Sequence, residues 1–378
     1  ICYSKSAYTK NHPNNKIILL LENYIDFFTL IIGEEKVQFD KLKENKSARI
    51  TALKNETTDS PWKKYEEAEI NLQWAFGRIK FNEYITAAFE INKAYSLLKE
   101  NEKKFPDFAP NKKSLGLLHA LVGTIPDQYR WAMSLMGFEG TIQQGITELE
   151  AAFKESQTNN EYRFLKTENL FLLAFAQKML SDNEQEIKKL LSEIEKQEYS
   201  SPLLVHAGAS LALHLGENDK AISILENYKP KTTDFPVHYL KFLHGAVLLH
   251  KLDLNAKIYF ENYLQHFKGL NYIKSAYQKL AWCCLLSGDK IAAKKHLSAI
   301  KSTGSTIADE DKQALKEAAD ENFPNEILLK ARLLFDGGYY SRALNMLIEN
   351  KPSSFLKTER DNVEYIYRLA RIHQKTGN

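Results

Sequence analysis

Three histidines, His238, His244 and His250, fall within one short stretch of the chain, and metal binding is the first chemistry such a cluster suggests. On a helix, steps of six residues turn the side chain to three different sides, so the three rings cannot share one ion. Cys283 and Cys284 are neighbours inside a predicted helix, and Cys2 is remote in sequence. Adjacent helical thiols diverge, and no further ligand stands at metal-site spacing. The pair is therefore expected to be small buried hydrophobes rather than a disulfide or redox centre. Glu66 with Glu67, and Glu148 with Glu150, have the residue type for acid–base work. Neither pair has a basic or nucleophilic companion in sequence, so both are expected on solvated helix faces. No His-Glu-x-x-His, paired Cys-x-x-Cys, phosphate-cradling glycine loop or Gly-x-Ser-x-Gly elbow occurs. The expectation is a protein that is not an enzyme and has no cofactor or metal. A dispersed active site would show itself as converging carboxylates or histidines with shifted pKa values.

Recognition chemistry is better represented. His206 and His214, then Tyr239, Phe242 and His250, then Trp282, and further on Arg332, Tyr367 and Arg371 recur on one side of successive predicted helices. Ser210, Ala246, Gln278 and Lys375 fall on the same side. Aromatic anchors with basic residues at the far end suit an extended partner peptide carrying apolar and acidic groups. The alternative is that Phe242 and Trp282 are core, covered by adjacent helices.

These positions are ordered by a helix pair that recurs three times between Leu203 and Ile300. Ala209, Gly245 and Ala281 stand mid-way along a first apolar helix, and Ala221, Ala256 and Ala293 stand inside a second. Gly216, Leu252-Asp253 and Gly288 supply the turns between them. Small residues are required where two helix backbones cross closely. A period of about 34–37 residues with these features is the tetratricopeptide signature. The same pattern returns with Ala331, Gly337-Gly338 and Ala343, and earlier with Ala75 and Ala87 after a start at Ser60-Pro61. Residues 41–55 are expected to form a solvated outer face, residues 7–15 the tail of a helix and a turn, and residues from Pro126 a helix with Trp131, Leu135 and Met136. Phe175 and Ile187 are expected at a less regular crossing. Gly145 sits mid-helix, where it costs about 1 kcal/mol against Ala, so a close helix approach is expected there.

The block Gly116, Pro126, Gly137-Phe138-x-Gly140, Gly145 and Leu149 resembles the signature of one tetratricopeptide family. That family includes the eukaryotic tetratricopeptide repeat protein thirty-nine and the fungal inclusion-body clearance protein. The flanks, rich in lysine and asparagine, are more similar to bacterial relatives. Where the family usually carries Asp-Arg after the second glycine of the block, this chain has Thr141-Ile142. The resemblance implies an all-helical adaptor without known catalytic activity.

Of the 378 residues 44% are hydrophobic, with 16 Gly and 10 Pro, which is a folded, helix-rich composition. A net charge of +3 gives no reason to expect nucleic acid as partner. The longest apolar run, residues 17–32, holds Glu22 and Asp26 and is too short to span a bilayer. No leader peptide opens the chain, so the compartment is open between cytoplasmic and exported after loss of a leader. The expected fold is all-α, a right-handed superhelical solenoid of antiparallel helix pairs. Residues 1–158 are its irregular part, 159–301 its regular repeats, and 302–378 a linker with final repeats. The last repeat lacks its second helix, and self-association through residues 362–374 is expected. The expected function is a scaffold binding a protein or peptide on its concave face. The alternative is a small ligand or glycan held in an aromatic-lined pocket.

Overall fold

The computed structural model describes residues 16–57, 59–126, 137–181, 183–197, 201–231, 234–320, 323–350 and 352–377. The expectations for residues 7–15, for Cys2 and for Trp131, Leu135 and Met136 lie outside them. Among the described residues the structure is all-helical, with no strand. No helix is long and apolar enough to cross a membrane. The chain forms two compact units, one reaching to Asn183 and the other running from Glu184.

The first unit contains α1 (Ile17–Gly33), α2 (Lys36–Leu42), α3 (Asn45–Lys54), α4 (Pro61–Lys80), α5 (Tyr84–Lys104), α6 (Pro110–Gly123), α7 (Ile142–Thr158) and α8 (Lys166–Leu180). Ser60 caps α4 by accepting the Trp62 N–H, and Pro61 occupies its first position, as the sequence predicts. Helix α4 is buried on nearly every side, and its neighbours supply polar partners. Asn23 donates to Gln73 (2.8 Å) and accepts from the Trp74 indole (2.8 Å) and Arg49 (2.9 Å). Arg49 in turn holds Asp26 at 2.7 Å. Lys113 pairs with Glu69 (2.7 Å) and Glu168 (3.0 Å), and Tyr24 donates to Glu168. Burial alone would neutralise Lys113, but the two carboxylates overcome it and raise its pKa well above the usual lysine range.

Two expectations are corrected here. Glu66 and Glu67 lie in this interior and not on a solvated face. Helix α3 is likewise no plain outer face, because Arg49 and Leu53 are buried. Polar residues spread around a helix mark solvent exposure only when no partners wait on the neighbouring helices. Phe175 is exposed in the first unit, and Ile187 is buried in the second.

The close approach expected at Gly145 is present. An ideal Cβ at Gly145 would lie 2.4 Å from the Gly116 carbonyl oxygen, and one at Gly140 would lie 2.6 Å from the His119 Cα. Three glycines of the family-like block thus let α6 and α7 touch backbone to backbone.

The second unit contains α9 (Glu184–Glu195), α10 (Pro202–His214), α11 (Asn218–Asn227), α12 (Tyr239–His250), α13 (Ala256–His266), α14 (Ile273–Leu286), α15 (Lys290–Ser302), α16 (Asp309–Ala319), α17 (Glu326–Asp336), α18 (Tyr340–Ile348), the short α19 (Pro352–Phe355) and α20 (Glu359–Thr376). Four of its helix pairs turn in the same way. Gly216, Leu252, Gly288 and Gly338 all have positive φ. The next residue's N–H returns to the carbonyl five positions back: Glu217 to Ala212, Asp253 to Leu248, Asp289 to Cys284, Tyr339 to Leu334. This is the Schellman ending of a helix. Asn82 with Glu83-to-Arg78 repeats it in the first unit. Two helical turns earlier stand the buried small residues Ala75, Ala209, Gly245, Ala281 and Ala331. Cys283 and Cys284 are free and buried, and burial pushes the Cys283 thiol up to about 12.

The pairs of the second unit also close on themselves. The Gly338 turn packs on the Gly216 turn so tightly that a Cβ at Gly338 would lie 2.1 Å from the Gly216 carbonyl oxygen. Tyr339 clamps the contact by donating to Asp219 (2.9 Å) and accepting from Asn218 (3.0 Å).

Candidate binding pocket

Helices α12, α14, α16 and α17 of the second unit surround a cavity of about 300 Å³. Their alignment is fixed by buried polar bonds. Asp311 of α16 accepts the N–H groups of Tyr272 (2.6 Å) and Ser275 (2.9 Å) at the start of α14. Glu317 of α16 accepts from Gln278 of α14 (2.7 Å) and Arg332 of α17 (3.0 Å).

Two cations meet in this pocket over one indole. Lys279 Nζ lies 5.6 Å and the Arg332 guanidinium carbon 5.0 Å from the Trp282 ring centre, and Lys279 also stands 5.3 Å from the Phe242 ring. Lys279 donates to the Ser275 hydroxyl (2.7 Å). Among the described residues no carboxylate lies within ion-pair distance of its Nζ. Burial and then the Arg332 charge bring the Lys279 pKa down to about 8. His250 is held neutral, with its pKa down to about 3, by burial and by the same two cations. Its Nδ1 is shielded and has no hydrogen-bond partner.

Of the residues expected from sequence, the structure brings Ala246, His250, Gln278, Trp282 and Arg332 to this pocket. Phe242 and Trp282 are buried, as the core alternative has it. Phe242 packs with Tyr239 (5.6 Å) and Tyr272 (5.0 Å), and Tyr239 meets His206 (5.4 Å), so these four rings form one packed cluster. His214 is exposed at the end of α10 and does not line the pocket. Tyr367 and Arg371 are exposed on α20, where Arg371 donates to the Tyr367 hydroxyl (3.0 Å) and stacks over Phe335. Sequence reasoning missed Lys279, Ser275 and Glu317. A lysine one turn from Trp282, beside Gln278 on the expected face, was the available signal for the first.

The histidines separate only in part: three different directions were expected, yet two of the rings reach one cavity. His250 lines the pocket just described, while His238 and His244 line another. Among the described residues no group of three or more His, Cys, Asp or Glu could hold a metal ion. In the first unit Glu148 is not a solvated acid without a basic companion, which corrects the sequence expectation. It holds His119 Nδ1 at 2.6 Å, and the Tyr95 hydroxyl lies 3.4 Å from His119 Nε2. Glu150 is exposed. No family model matches this chain, and neither does any curated protein or solved structure.

Proposed function

We propose that the chain is a non-catalytic binding protein of tetratricopeptide-like helix pairs wound into a right-handed superhelix. In this reading its second unit takes a small anionic ligand between Lys279 and Arg332. One observation carries it: two cations are forced together over Trp282, and among the described residues no carboxylate is in ion-pair contact with the lysine, Glu310, Glu317 and Asp336 acting on it only from further away. Like charges held in a partly buried site favour an anion that pairs with both. The inner-face aromatics are packed on the chain's own helices, which favours an enclosed pocket over a peptide groove open along the repeats. Melting curves with succinate, and with glucose as neutral control, test the reading. A ligand at one hundred times its Kd stabilises by about 2.7 kcal/mol. Succinate is expected to raise the Tm, glucose to leave it, and Lys279→Met to abolish the succinate effect. An undiminished effect in Lys279→Met contradicts the proposal.

A protein partner is the second reading, favoured by the row Val363, Ile366 and Tyr367 on α20, whose exposures are 63%, 66% and 49%. An apolar stripe at helical spacing suits a partner helix, including that of a second copy.

A further inference from the structure

A second cavity, of about 340 Å³, also lies against α12 but is lined by different residues. One side is apolar and aromatic, formed by Leu225 of α11, by Tyr228 and Pro236 of the connection that follows, and by Leu240. The other side carries His244 and Lys241. His244 is only 6% exposed, and its ring packs against that of Tyr259, centres 4.0 Å apart and tilted by 31°. Its Nε2 is shielded from solvent and has no hydrogen-bond partner. A buried ring nitrogen without a partner is unfavourable unless something else supplies one.

The neighbouring charges narrow what that group is. Burial and the neighbouring Lys241 charge hold the His244 pKa down to about 4, so the ring is neutral at pH 7 and can offer an Nε2–H donor. Lys241 is exposed, and among the described residues it has no ion pair. The rings of His238 and His266, stacked 6.1 Å apart, close the same side. The carboxylate at the rim, Asp234, is engaged by the Lys231 N–H at 2.8 Å. The site thus offers one buried ring nitrogen able to donate, one lysine and an apolar wall within about 340 Å³.

We infer that this cavity is a separate ligand site for a small arylalkanoic acid. The ring lies against Leu225, Tyr228 and Pro236, and the carboxylate accepts from His244 Nε2 and Lys241. Calorimetric titration with phenylacetate and with its neutral counterpart phenylacetamide tests this. The full chain carrying Lys279→Met is used, so that the pocket at Trp282 does not contribute. Phenylacetate is expected to bind at least about tenfold more tightly than the amide. Lys241→Met, an exposed change that leaves the fold alone, and His244→Phe, which keeps the packing on Tyr259, should each remove that preference. Absence of phenylacetate binding, equal affinity for acid and amide, or a preference that survives in both variants overturns the inference.

Discussion

Lys279 shows how far a single residue can be read from sequence. Its position inside an apolar helix was visible, but its meaning depends on Arg332, which lies on another helix and reaches the same indole. The same holds for Glu66. Sequence gives an acid beside an acid, and only the packing shows that burial and then Glu56 raise its pKa to about 8. The sign of its effect follows. Between the unfolded carboxylate range near 4.3 and about 8, the native state holds a proton that the unfolded state has lost, so stability falls as pH rises through that window. The slope from this one group is at most about 1.4 kcal/mol per pH unit. Glu66→Gln is expected to flatten the fall of urea-denaturation stability between pH 5 and 8, by about that slope. A profile parallel to wild type would mean that Glu66 is ionised in the folded protein.

Secondary elements were far more legible, because their signals are local. The turn at Leu252 was placed from its neighbours' spacing, and the backbone there adopts the same positive φ as the glycines. Ala209, Ala281, Ala331 and Ala343 are fully or almost fully buried at the crossings, as expected. Replacing Ala209 or Ala281 with Leu should cost about 1–3 kcal/mol through overpacking, seen as a lower denaturation midpoint. Equal midpoints would remove the crossings from those positions. What sequence could not show is that distant turns meet. Gly288 and Gly338 both have positive φ, but only Gly338 faces another backbone, that of Gly216. Gly288→Ala should cost about 1–2 kcal/mol for the left-handed backbone alone. Gly338→Ala should cost more than that, and the excess in urea denaturation measures the turn-to-turn contact. Equal costs would contradict the closure of the second unit.

At the scale of the whole molecule, helix content and the recurrence of pairs were readable, since periodicity survives without knowledge of contacts. The pocket was not, because its walls come from α12, α14 and the consecutive α16 and α17, with other helices between the first three in sequence. Five of its residues, Ala246, His250, Gln278, Trp282 and Arg332, were nevertheless anticipated from the register of first helices. The exposed stripe on α20 carries a prediction at this scale: Ile366→Glu should shift sedimentation towards monomer if a second copy covers that face. An unchanged distribution would leave the stripe to another partner.

The central claim is that Lys279 has no carboxylate in direct contact and that a ligand supplies one, and lysine side-chain NMR tests it most directly. Carbon-13 at the lysine Cε is followed through a pH titration, with and without succinate, and Lys279→Met assigns the resonance. One lysine is expected to titrate near pH 8 in the free protein and to move towards the ordinary lysine range, by about one unit or more, when succinate binds. A Lys279 resonance that titrates as an ordinary lysine in the free protein, or one that succinate leaves unmoved, would contradict the account.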